Sequence, residues 1–263
     1  MRLRNVWVST LGFAIAAFVA CGGGKPSEPA VPAAAPGATK VDTATAGDVK
    51  GLVTVDGTVP KNEPIKMNAD PVCAKANTTP QFQETYVVGS DGKSLANVFV
   101  YVKDGLGNYV YDAPTDSVKI DQKDCRYHPH VLGVRIGQKV EIINSDPTLH
   151  NIHAVPKTNQ EFNAGQPIQN MKNEHVFTAK EVMVPFKCDV HGWMNAYAGV
   201  LDHPYFAVTD KDGKFELKSL PPGTYTIEAW HEKLGAMEQK VTLGQKETKD
   251  VNFTFKAGAT PTN

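Results

Sequence analysis

The chain has 263 residues, 41% of them apolar, with 27 basic and 28 acidic side chains and a formal net charge of −1. That balance gives no sign of nucleic acid or anionic lipid as a partner, and the apolar share is that of a globular chain. The four cysteines are too few for a disulfide-dense miniature scaffold.

In chain order, MRLRNVWVSTLGFAIAAFVAC sets Arg2 and Arg4 ahead of an uncharged apolar run from Val6 to Val19 and ends on small Ala20 before Cys21. Such a run is too short to span a bilayer and reads as a secretory leader. The ending Phe18-Val19-Ala20-Cys21 resembles the bacterial lipoprotein box, with Phe18 where leucine is commoner. The resemblance implies that residues 1–21 are a lipoprotein signal. Cys21 would then be the lipidated first residue of an exported, membrane-anchored chain of the periplasm or cell envelope. Gly22 is compatible with outer-membrane sorting in a cell with two membranes. Residues 22–47 are rich in Gly, Pro and Ala without an apolar period, the composition of a disordered tether, so the folded part is expected from Asp48.

Beyond Asp48 the sequence alternates: LVTV at 52–55, NVFVYV at 97–102, VLGVRI at 131–136, KVEIIN at 139–144. Turn signals at Asp56-Gly57, Asp91-Gly92, Gly105, Gly137 and Asp212-Gly213 cut these runs at short intervals, and no helical period longer than two turns competes. The fold class is all-β. VLGVRI and KVEIIN read as a strand pair closed by Gly137-Gln138, and Lys157 to Thr178 is the least patterned part.

The last third is the most regular. In TDKDGKFELKSLPPGTYTIEAW, 209–230, Phe215 and Leu217 share one face, Pro221-Pro222-Gly223 turns the chain, and Tyr225, Ile227 and Ala229 resume it. Runs at 241–243 and 251–255 would complete a small sheet with one wet side. The motif T-D-x-D-G-x-F-x-L-x-x-L-P-P-G-x-Y-x-I resembles the carboxypeptidase regulatory-like, or transthyretin-like, sandwiches. In that family the first strands precede the D-x-D-G turn, and the counterparts here are VKGLVTVDG at 49–57 and SLANVFVYVKD at 94–104. The expected organisation is therefore a discontinuous regulatory-like sandwich, 48–115 plus 204–256, a second sandwich inserted at 116–203, and a tail at 257–263. The alternative is two consecutive domains, 48–203 and 204–256.

The inserted part ends in CDVHGWM, 188–194, which sets a thiol, an imidazole and a thioether three apart, and His150 lies 38 residues before Cys188. The pattern V-x-x-G-x-x-V-x-x-x-N-x-D-x-x-x-H-N followed by C-x-x-H-x-x-M resembles the cupredoxin family of blue-copper proteins, so the second sandwich is expected to be a Greek-key fold of plastocyanin or amicyanin type. The resemblance implies one type 1 copper, Cu(I)/Cu(II), held by His150, Cys188, His191 and Met194. Asn151 would join the two ligand loops, and an apolar electron-exit patch would lie at the outer edge of His191 with Trp193 beside it. The donor chemistry agrees independently: two imidazoles and a thiolate with a weak thioether suit copper in both oxidation states, whereas zinc seldom takes methionine. With Cys21 lipidated and Cys188 on a metal, Cys73 and Cys125 remain as a disulfide in an oxidising compartment.

Other polar motifs have plainer readings. His128 and His130, two apart, are expected as hydrogen-bonded or solvent-facing groups rather than a second metal site. His153 is expected to point away from His150, Asp210-Lys211-Asp212-Gly213 to be a tight turn rather than a calcium loop, and His231-Glu232 to be strand-end packing. Copper enzymes of this family flank the cysteine with further histidines, whereas here its neighbours are Lys187 and Asp189. The expected function is an envelope-anchored one-electron carrier, not an enzyme, meeting redox-partner proteins at the membrane and no nucleic acid. The alternatives are a copper storage or delivery module, and a structural or carbohydrate-contacting surface lipoprotein.

Overall fold

The structure, a computed structural model, describes residues 37–258; the leader, Cys21 and the first part of the tether lie outside the described residues. The alternating runs form strands for the expected reason. Val140, Ile142 and Asn144 of KVEIIN are buried, while the residues between them stay partly exposed.

Strands from 118 to 201 form one sandwich. Its first sheet runs Lys172–Val176, Lys139–Asn144, Val118–Lys123, Arg126–His128. Its second runs Phe162–Gln166, His150–Ala154, Glu181–Lys187, Asn195–Leu201, Val131–Arg135. Ile120, Val140 and Ile142 meet Leu132, Ile152, Val184 and Ala198 in a single buried cluster.

A second sandwich draws on both sides of that segment. One sheet runs Phe206–Val208, Phe99–Asp104, Gly223–His231, Gly235–Leu243. The other centres on Gly47–Asp56, which pairs with Lys214–Leu220, Thr248–Asp250 and Phe253–Lys256. Val53, Val100, Ile227, Phe215 and Phe253 belong to its core. Where the sandwiches touch, Gly133 and Gly199 lie side by side on neighbouring strands. A Cβ on Gly199 would sit 2.3 Å from the Phe99 ring, and one on Gly133 2.2 Å from the Phe206 ring, so only glycine makes the hollow these rings fill.

Two expectations are corrected. Val131–Arg135 and Lys139–Asn144 do not pair with each other but lie in opposite sheets, and the same holds for Lys214–Leu220 and Gly223–His231. The turns at Gly137 and at Pro221-Pro222 are therefore sandwich corners; prolines, lacking an N–H, suit a place where no ladder continues. The tether is shorter than expected: Thr39 and Lys40 pair in parallel with Tyr109 and Val110, and Lys40 meets Asp112 at 2.7 Å. Backbone hydrogen bonds compensate for the weak local propensity there. A short helix, Pro71–Ala76, capped by the Asp70 side chain, lies in a stretch that shows no apolar period. Its signal was Asp70-Pro71, an N-cap followed by proline at the first helical position.

Candidate metal centre

Strands Glu181–Lys187 and Asn195–Leu201 are antiparallel neighbours, and the loop between them, 188–194, closes on itself. The Cys188 N–H donates to the Met194 carbonyl at 3.2 Å, Met194 N–H to the His191 carbonyl at 2.9 Å, and His191 N–H to Cys188 Sγ at 3.3 Å. Such bonds fix the cysteine and histidine of one loop relative to each other. His150 opens the strand His150–Ala154, which pairs with Glu181–Lys187 and so arrives at the same end of the sandwich. Asn144, the inward residue ending its own strand, donates to the Thr148 and Gln166 carbonyls, both at 2.8 Å, and accepts from Asp146 N–H at 3.0 Å. That amide shapes the loop that delivers His150.

His150, Cys188, His191 and Met194 are all buried, and ligand atoms of the first three lie within 4.8 Å of one another. The Nδ1 atoms of the two imidazoles are 3.0 Å apart, and Cys188 Sγ is 3.9 Å from His191 Nδ1. Met194 shares the buried cluster of Cys188. The outer nitrogens are both engaged: His150 Nε2 donates to Asp146 at 2.8 Å and His191 Nε2 to Asp70 at 3.1 Å. An ionised carboxylate only accepts, so each imidazole carries a proton on its outward Nε2 and turns Nδ1 inward. Two Nδ1 atoms facing each other beside a thiol form a donor set that a cation would complete.

The electrostatics agree. Burial opposes ionisation of Cys188, but hydrogen bonds from the His150 and His191 side chains and from the Asn151 and His191 backbone bring it down to about 6. Burial also opposes a charged His150, yet Asp146 and Cys188 raise it to about 8. Against burial, the Thr148 hydroxyl, the Cys73 and Val72 N–H groups and His191 hold Asp70 at about 2. A thiol inclined to ionise between imidazoles is the ligand a soft or borderline metal requires.

Asn151 joins the loops as expected: its Oδ1 accepts from Asp189 N–H at 2.5 Å, and its Nδ2 donates to Asn163. Tyr127, which the sequence did not single out, adds a second tie, donating to the carbonyls of Asn151 at 2.5 Å and Lys187 at 2.9 Å. Cys73 and Cys125 form a disulfide.

The electron-exit patch is corrected. His191 is 3% exposed, and its outer edge meets Asp70 and, at 3.8 Å, Cys73 Sγ, because the segment carrying the short helix is tied down over it. Trp193 does lie beside His191, ring centroids 4.9 Å apart, and donates from Nε1 to the Cys125 carbonyl at 3.0 Å. Asp146 stood inside the motif with no role assigned, and Asp70 lies 80 positions before His150 in sequence, beyond the reach of any spacing rule.

The remaining motifs are structural. His128 and His130 do not converge: His128 faces Lys123 O at the surface, while buried His130 meets Glu232 at 2.6 Å. His153 bonds Asp189 and Glu161 at 2.8 and 2.6 Å. Asp210 closes a tight turn through the Asp212 and Lys214 N–H groups, both at 2.9 Å. His231 is buried and accepts from the Lys233 and Leu234 N–H groups at 3.2 Å.

The double sandwich and its buried His-Cys-His set define an all-β protein with the donors of a metal centre. Residues 199–256 match the family model of the carboxypeptidase regulatory-like domain. Among solved structures the chain is similar to a copper-containing nitrite reductase from Thermus scotoductus SA-01, at 17% identity over 35% of this chain and 24% of that one, TM-score 0.31. It is also similar to a reduced amicyanin variant, at 22% identity over 34% of this chain and 86% of that one, TM-score 0.29. A purple cupredoxin from Nitrosopumilus maritimus matches at 22% identity over 32% of this chain and 99% of that one, TM-score 0.28. No curated protein matches.

Proposed function

We propose that the protein is an envelope-anchored type 1 copper protein that carries single electrons, with Cys21 as the lipid anchor and redox proteins of the envelope as partners. The observation that supports it most is the inward-facing trio of His150 Nδ1, His191 Nδ1 and Cys188 Sγ, with both Nε2 atoms held by carboxylates. Bound there, copper would supply a one-electron couple. His150, His191 and Cys188 would hold it, with buried Met194 as the weak fourth donor. The chain's own task is to keep those groups still. The closed 188–194 loop, the Asn151 and Tyr127 ties and the Asn144 turn each oppose a rearrangement that would slow electron transfer. Lys187 and Asp189 pair with each other at 3.0 Å, which favours a carrier over an enzyme that relays electrons through residues beside the cysteine to a second metal.

One observation favours the second reading, copper storage or delivery: the sealed outer edge of His191. A fast, reversible potential at an electrode separates the carrier from the store. The test of both is to add Cu(II) to the full chain and to its Cys188→Ser variant. An intense visible cysteine-to-copper band with narrow hyperfine splitting, lost in the variant, is the expected result. A colourless protein, or copper that ignores Cys188, rejects the reading.

A further inference from the structure

The outer sides of the two imidazoles belong to one continuous structure. His191 Nε2 donates to Asp70 Oδ2, which also accepts from the Thr148 hydroxyl at 2.8 Å, while Asp70 Oδ1 accepts from the Val72 and Cys73 N–H groups at 2.7 and 3.2 Å. Cys73 is bridged to Cys125. The N–H groups of Asp124 and Cys125 donate to Asp146 at 2.9 and 2.8 Å, and Asp146 Oδ2 accepts from His150 Nε2. The path from one imidazole to the other is thus carboxylate, half-cystine, half-cystine, carboxylate. It passes through Asp124 and Cys125, both left-handed at φ 52° and 57°. A two-residue turn with both φ positive normally takes Asn-Gly or Asp-Gly, and a cysteine at the second place has to be held there. Here the Asp146 carboxylate and the disulfide hold it.

Resting on the copper reading above, we infer that Asp70 and Asp146 are positioning residues for His191 and His150, and that the Cys73–Cys125 disulfide joins their supports into one brace. That brace fixes both imidazoles and favours the metal's higher charge. A carboxylate on the far nitrogen makes an imidazole a stronger donor, and negative charge that is buried, as at Asp146, or partly buried, as at Asp70, is incompletely screened, so two such carboxylates stabilise Cu(II) more than Cu(I). The disulfide contributes geometry: neither imidazole can swing away from the metal without leaving a carboxylate that the bridge holds in place.

The decisive variant is Asp70→Asn. It keeps an oxygen to cap the helix and puts an uncharged amide beside His191. Cu(II) affinity should fall by about 10- to 100-fold. Cu(I) affinity should fall less, each tenfold difference appearing as a rise of about 59 mV in reduction potential. Equal losses for both oxidation states, or no loss, overturn the inference. The paired variant Cys73→Ala, Cys125→Ala tests the bridge: Cu(II) release should quicken by about tenfold. In metal-free protein, the imidazole nitrogen signals of His150 and His191 should lose their fixed Nε2–H form. Unchanged release and unchanged signals reduce the disulfide to a staple of the fold and overturn the brace. If the paired variant does not fold, Asp70→Asn decides alone. If wild-type protein gives no Cys188-dependent copper band, the copper reading has failed; the metal-free nitrogen signals of Asp70→Asn then decide the brace, retention of the fixed Nε2–H form on His191 overturning it.

Discussion

The two sandwiches use the same alternating strands and fill their interiors differently. Around Val53, Val100, Ile227 and Phe253 the second one packs apolar side chains, and the polar groups it buries, Thr209, Glu228 and His231 among them, form no metal-donor cluster among the described residues. The first buries Gln122, Asn144, Asp146, His150, Asn151, Gln166 and His191 at one end. Each of those groups needs a partner, since an unmet buried polar atom costs more than a formed hydrogen bond returns. Their partners include other members of the set and nearby backbone carbonyls: Gln122 donates to Gln166, Gln166 to the Ile142 and Met171 carbonyls, Asn144 to the Thr148 carbonyl before His150. A core gives up apolar area in this way where it must hold ligands at fixed places. The difference sets the sandwich that carries the His-Cys-His set apart from the other.

The largest expected effect tests that division. Phe253→Ala empties a site that is 0% exposed and should cost about 3–5 kcal/mol in chemical denaturation, leaving the Cys188-dependent copper band of the folded protein unmoved. A shifted band would show that the second sandwich shapes the centre. Next, loss of the Cys73–Cys125 bridge, which spans a sequence separation of 52, should cost about 3–4 kcal/mol, measured as a lower denaturation midpoint. An unchanged midpoint would mean that Asp70 and Asp146 hold the segment without it. Tyr127→Phe removes one hydroxyl that serves two carbonyls and should cost about 1–3 kcal/mol with a broadened copper signal. The same loss with a sharp signal would leave Asn151 as the tie that matters.

Acid should act on both sandwiches. Burial lowers His175 in the first and His203 and His231 in the second, His175 and His231 from 6.5 to about 4. A neutral folded histidine gives its full stability above 6.5, and that stability is withdrawn as the pH falls toward 4 and the unfolded chain takes up the protons. Urea midpoints should therefore decline across that window. A flat profile would show that these rings are solvated.

Much of this was legible in the sequence. Period-two alternation is a local property of the chain and survives folding, so the all-β class followed from runs such as KVEIIN and KFELKSL. The Cys188, His191 and Met194 spacing was legible because one short loop carries all three donors. Asn151 followed from the same pattern. The short helix Pro71–Ala76 was not legible because six residues are too few for a period, leaving Asp70-Pro71 as its whole signal.

The sequence by itself determined the strands and the spacing of Cys188, His191 and Met194, since each depends on residue type and local spacing, and the count of four cysteines left Cys73 to pair with Cys125. Tertiary structure decided which strands share a sheet, because a hairpin and a sandwich corner present the same alternation and differ only in where the next strand finds its hydrogen bonds. It also decided what stands behind each imidazole. Asp70 reaches His191 across 121 positions of sequence through the disulfide-tied segment, a contact created by the closure of the chain on itself.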